Sequence, residues 1–139
     1  MERPFVGFAN SASRHTQNLA SAACVIYSPI GQLTISGGAC LGPTTNNVSE
    51  YSAVIKILRV VILNGILYLE VCLDSQLVVM QLNGEYRLRD PVILHYYLRV
   101  RLLEWRFFYI VYEHILRNQN TIVDAYDNYV LDWHLHSLT

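Results

Sequence analysis

The chain has 139 residues, 53% of them hydrophobic and 15% charged, with a formal net charge of −1. That length fits one core and one domain, 1–139, and the near-neutral balance excludes a global field drawing the chain to nucleic acid or an acidic membrane. No apolar run approaches the ~20 residues that span a bilayer, because "VVILNGILYLEV" is broken by Asn64-Gly65 and Glu70.

The first 42 residues have strand character: "PFVGFANS", then "ASAACVIYSP", then "GQLTISGGAC", with a tight turn at Pro29-Ile30-Gly31. Three strands on short connections predict an antiparallel meander. The pattern changes at "TTNNVSEYSAVIKILRVVILNG". Thr45, Asn46 and Asn47 are N-cap candidates, Asn64-Gly65 is a stop signal, and Tyr51, Val54, Ile55, Leu58 and Ile62 recur at helical spacing. Glu50 lies one turn before Val54 and is expected to face inward in the first turn.

"ILYLEVCLDS" reads as a strand ending in Asp74, followed by a short helix "SQLVVMQLNG". Asp90-Pro91 opens the helix "PVILHYYLRVRLLEW", and "RFFYIVYEHI" reads as an aromatic, β-branched strand. The polar loop "LRNQN" leads to a last helix over about 121–133, with Ile122, Val123, Ala125, Tyr126, Val130 and Trp133 among its apolar positions. The expected order is βββαβααβα: a meander feeding strand–helix units on one mixed sheet.

Of the ten basic residues only Lys56 is a lysine, so flexible phosphate-gripping side chains are nearly absent. Cys24, Cys40 and Cys72 are an odd number without C-x-x-C spacing and read as reduced, buried cysteines. The N-terminus "MERPFVGFANSASRH" lacks the apolar block of a signal peptide, so an intracellular setting, cytoplasmic or nuclear, is expected. A chain this apolar cannot hide all of its hydrophobic surface, which predicts a protein partner or self-association; Tyr96, Tyr97, Tyr109 and Tyr112 are candidates for that surface.

In this order of elements Asp74 closes a strand, Glu50 points inward from the preceding helix, and Asp124 lies in the first turn of the last helix. Carboxylates so placed can converge at one edge of the sheet, where they raise one another's pKa unless a divalent cation binds between them. The alternative is three separate caps or surface acids.

The blocks "TNNVSEYSAVIKIL", "LEVCLDSQLVVMQLNGEYRLRDPVILHYY" and "EHILRNQNTIVDAYDN" resemble the ribonuclease H family, more narrowly its plant and retroelement-type members. The resemblance runs from about Phe5 to Leu131. It implies an α/β ribonuclease H-like fold, a five-stranded mixed sheet with strands 1–3 antiparallel, then parallel additions, flanked by helices. It also implies hydrolysis of RNA–DNA hybrids with two magnesium ions held by four acids. By position Glu50 matches the second acid, Asp74 the third and Asp124 the fourth, as catalytic and metal-binding residues.

The first acid is missing. The family's F-D-G aligns with Phe8-Ala9-Asn10, putting Ala9 at the aspartate. Sliding by one to place Asn10 there would exchange the strand's two faces, so Ala9 is the expected occupant. The lost carboxylate is the ligand shared by both ions, which sit roughly 3.5–4 Å apart. The resemblance therefore implies magnesium but no magnesium pair, and weak or absent metal at the three remaining acids.

His114 is a weak candidate for a proton shuttle, and His134 and His136 read as non-ligands. Asn46, Asn47, Arg87, Arg89 and Arg117 are candidates for contacting nucleic acid or a partner, with Arg99 and Arg101 adding positive charge. So few phosphate contacts predict weak, salt-sensitive nucleic-acid binding. The expected function is a catalytically degenerate ribonuclease H-like binding module, acting on a protein partner or itself and, less favoured, on nucleic acid. The runner-up is an active magnesium-dependent hybrid endoribonuclease.

Overall fold

The computed structural model describes residues 3–14 and 18–137, with the side chains of Tyr126 and of residues 134–137, including His134 and His136, outside that description. β1 (Phe5–Arg14), β2 (Leu19–Tyr27) and β3 (Leu33–Gly42) form the meander; α1 (Asn46–Leu63), β4 (Tyr68–Leu73), α2 (Gln76–Leu82) and α3 (Pro91–Glu104) follow. β5 (Tyr109–His114), a 3-10 turn (Arg117–Gln119) and α4 (Thr121–Ser137) complete the order. The sheet runs β3-β2-β1-β4-β5, with β1–β2 and β2–β3 antiparallel and β1–β4 and β4–β5 parallel.

Local chemistry accounts for the boundaries. The β2–β3 turn closes through Gly31 N–H to the Ser28 carbonyl at 2.9 Å, with Gly31 at φ +83°, which a glycine adopts without strain. Thr45 and Ser75 cap α1 and α2 by accepting from the N–H groups of Val48 and Val78. Asp90 caps α3 through Val92 N–H at 2.8 Å, with Pro91 in the first turn where a missing N–H costs nothing.

Apolar side chains bury on both faces of the sheet. On one, Tyr51, Val54, Ile57, Leu58 and Val61 of α1 meet Ala9, Cys24, Ile26, Leu69, Val71 and Leu73, and α3 adds Ile93 and Val100. On the other, Val123 of α4 packs on Ala23, Val25, Phe8 and Tyr27.

Several expectations need adjustment. Glu50 belongs to the second turn of α1, since the helix starts at Asn46. β1 continues to Arg14, α4 continues past 133 to Ser137, and the expected loop 116–120 contains the 3-10 turn. Phe107 and Phe108 precede β5, with Phe108 78% exposed. Tyr112 is buried and donates its hydroxyl to Glu104 at 2.7 Å, so it is no surface aromatic. Cys24 and Cys72 are buried free thiols, while Cys40 is half-buried. Among the described residues no helix is long and apolar enough to cross a membrane.

Candidate functional site

The two faces of β1 decide what the site contains. A Cβ added to Gly7 would run into Ile57 of α1, so Gly7 faces α1. Side chains alternate along a strand, which puts Ala9 and Ser11 on that face too. Ala9 is fully buried in the α1-side core, and Ser11 Oγ donates to Glu50 Oε1 at 2.5 Å. Phe8 and Asn10 take the opposite face. Phe8 packs edge-on against Tyr27, and Asn10 Nδ2 donates to Asp124 Oδ1 at 3.0 Å and approaches Asp127 Oδ2 at 3.4 Å. The residue of β1 that reaches Asp124 and Asp127 is thus Asn10, one position beyond the expected Ala9, while Ser11 reaches Glu50 from the other face. Register agrees: Ala9 pairs with Leu73, so Asn10 and Asp74 are the next residues along their neighbouring strands.

Glu50, Asp74 and Asp124 do converge. They line one cleft of about 530 Å³ with Ser11, Ser75 and Arg117, and Asn46 and Asn47 lie on the same wall. Burial pushes the Glu50 carboxyl up to about 7; the Asp74 charge adds to the rise, while the Ser11 bond and the Arg117 charge oppose it. A fourth acid, unanticipated, lies near enough to feel their charges without lining the cleft. Asp127 is fully buried, one turn after Val123, and accepts a short hydrogen bond from Ser21 Oγ. Burial, then the charges of Asp124, Glu50 and Asp74, raise its carboxyl to about 7 against the opposing Ser21 bond.

Asn120 ties this corner together: buried, it donates Nδ2 to the Ala9 carbonyl at 3.2 Å while its own carbonyl accepts from Asp124 N–H at 3.0 Å.

The other candidates divide. Asn47 also lines a neighbouring groove of about 510 Å³ with Gln81, Glu85, Tyr86, Arg87 and Arg89, so the acidic cleft and the arginine-bearing groove adjoin. Arg101 is committed elsewhere. It pairs with Glu104, donates to the Leu82 carbonyl and lies over the Tyr97 ring at 4.6 Å. His114 ends β5 beside Leu73, exposed, and is not among the residues lining the cleft.

Magnesium requires oxygen ligands at about 2.0–2.1 Å in near-octahedral geometry. The arrangement does not meet that need. Asn10 turns its NH₂, not its carbonyl, towards the carboxyl groups of Asp124 and Asp127. A donor therefore stands where a ligand oxygen is wanted. Among the described residues no three His, Cys, Asp or Glu side chains are grouped to hold a metal ion.

This fold with acids at the ends of β4, α1 and α4 defines a class, and comparison with known proteins agrees. Residues 8–129 match the family described as "Reverse transcriptase-like". The chain belongs to that family of ribonuclease H-like domains. It is similar to ribonuclease HI of Halobacterium salinarum, 34% identical over 90% of this chain and 63% of that protein. The crystal structure of ribonuclease H1 from that archaeon superposes with a TM-score of 0.89 at 32% identity, covering 93% of this chain and 98% of the other. The bifunctional protein Rv2228c of Mycobacterium tuberculosis is 35% identical over 66% of this chain. Its N-terminal ribonuclease H domain superposes with a TM-score of 0.89 at 28% identity over 99% of this chain and 100% of the domain. The chain spans 25% of the length of that mycobacterial relative. LC11-RNase H1 in complex with an RNA/DNA hybrid gives a TM-score of 0.88 at 26% identity over 94% of this chain and 99% of the other. These relatives do not carry the expected plant or retroelement affinity, being archaeal and mycobacterial where a source is known.

Proposed function

We propose that residues 1–139 act as one ribonuclease H-like domain that binds an RNA–DNA hybrid, or a duplex of similar shape, without hydrolysing it. One observation carries the reading: an amide, Asn10, occupies the β1 position that faces Asp124 and neighbours Asp74. In this reading Asn10, rather than Ala9, stands in the first acid's place. A neutral amide cannot anchor two dications, and a misplacement of 1 Å alone can cost about a hundredfold in rate. Glu50, Asp74 and Asp124 are then vestigial metal ligands. The surface for a duplex remains: Asn46, Asn47 and Arg117 in the cleft, with Arg87 and Arg89 in the groove beside it. LC11-RNase H1, of like fold, has been crystallised with a hybrid.

The test is a labelled RNA–DNA hybrid incubated with the protein in magnesium or manganese. A mobility shift with intact RNA strand is expected. Metal-dependent cleavage of the RNA strand by the wild type overturns the reading.

The three acids sharing one cleft favour a second reading, an active magnesium-dependent hybrid endoribonuclease, and the same assay decides it. A protein-facing or self-associating role draws support from the exposed Leu94, Leu98, Leu102 and Trp105 of the α3 region. It predicts a concentration-dependent sedimentation coefficient.

A further inference from the structure

Asp127 occupies an unusual place for a charge. Val123, Asp127 and Leu131 follow one another at four-residue spacing and are all buried, so Asp127 sits on the stripe that packs α4 onto the sheet. One oxygen takes the Ser21 hydroxyl, and the other faces the Asn10 amide. The same amide donates to Asp124. Nδ2 therefore lies between two carboxylates and meets both with protons, which is the electrostatic service a cation would give to them.

Position 10 is constrained in return. A carboxylate there would place an oxygen within about the present 3.4 Å of Asp127 Oδ2 in a buried site, replacing an attraction with a repulsion. Ser21 cannot relieve it, being spent on the other oxygen of Asp127.

We infer that Asn10 and Asp127 are a matched pair that shuts the acidic cleft against divalent metal: the amide bridges Asp124 and Asp127, and Asp127 excludes a carboxylate from position 10. This deepens the non-cleaving reading and rests on it. It makes Asp127 the residue that prevents a single reversion, Asn10→Asp, from rebuilding a metal centre. Removing the Asp127 charge opens position 10 to a carboxylate, which then joins Glu50, Asp74 and Asp124 with no buried rival.

The experiment is a thermal-melting cycle at about pH 8 on the wild type, Asn10→Asp, Asp127→Asn and the double variant, each in chelator and in manganese chloride. In chelator, Asn10→Asp melts several degrees below the wild type or fails to fold, and the double variant recovers most of that loss. Manganese raises the melting temperature of the double variant more than that of the wild type or Asn10→Asp. The pairing is overturned if Asp127→Asn shifts melting equally in both backgrounds. It is also overturned if the double variant is no more stable than Asn10→Asp, or if manganese stabilises Asn10→Asp as much as the double variant. Hybrid cleavage by the wild type would defeat the non-cleaving reading and leave the melting cycle standing; an additive cycle would defeat the pairing and leave wild-type inactivity standing.

Discussion

Burial separates Asp127 from every surface acid of the chain, and burial gives its ionisation a stability cost. Its carboxyl titrates at about 7 in the fold against an ordinary 3.8. At 1.36 kcal/mol per pH unit that difference corresponds to roughly 4 kcal/mol. A raised acid stabilises the fold fully below its unfolded pKa, and that contribution is lost as pH rises through the folded value. Stability should therefore fall between about pH 4 and pH 7. Asp127→Asn keeps an acceptor for Ser21 but turns its own amide N–H towards that of Asn10, so the measure is the change with pH: its stability relative to wild type is expected to rise by on the order of 1–4 kcal/mol between about pH 4 and pH 8. Urea unfolding across that range measures it, and a pH-independent difference refutes it. Glu50 shifts in the same direction and is present in both proteins, so the difference reports Asp127 together with its coupling to Glu50. The convergence of Glu50, Asp74 and Asp124 was readable from where each falls in its element. Asp127 was not, because an aspartate in an amphipathic helix reads as solvent-facing. The signal was there in its spacing from Val123 and Leu131, which makes it a polar residue on an apolar stripe.

At the level of elements, helix starts were legible because caps are local chemistry: Thr45 and Asp90 each satisfy N–H groups within three residues. The faces of β1 were less so. Anchoring on Phe8-Ala9-Asn10 fixed the register by sequence similarity, whereas the strand's orientation is fixed by what each side must pack against. Phe8 needs Tyr27 and Val123, so Asn10 follows it to the α4 side; Gly7 must admit Ile57, so Ala9 follows it to the α1 side. That close approach gives a test. Gly7→Ala drives a methyl into Ile57 and is expected to lower stability by about 1–3 kcal/mol, the usual cost of overfilling a packed core. Gly37→Ala on β3 meets nothing nearer than Lys56 Cε at 3.5 Å and should cost less. Equal unfolding midpoints for the two variants would show that β1 is not held against α1 by the missing side chain.

Across the whole molecule the question is what so few basic residues can do for a domain of net charge −1. The ten basic residues are not equivalent once folded. Arg14 pairs with Asp132 at 2.5 Å, and Arg101 is held by Glu104, the Leu82 carbonyl and the Tyr97 ring. Arg87 and Arg89 instead line the groove that meets the acidic cleft at Asn47, and Arg117 lies in the cleft itself. Each phosphate neutralised by a cation contributes about −0.9 to the slope of log affinity against log salt on a B-form duplex. If the groove tracks a hybrid backbone, Arg87→Ala with Arg89→Ala should weaken binding and flatten that slope by up to about 2. Arg101→Ala should leave the slope unchanged and lower the melting temperature, because its contacts are internal. Fluorescence anisotropy with a labelled hybrid over a salt series separates these outcomes. A slope that flattens with Arg101→Ala and not with the groove pair would move the nucleic-acid surface away from the cleft and onto α3, which carries Arg101.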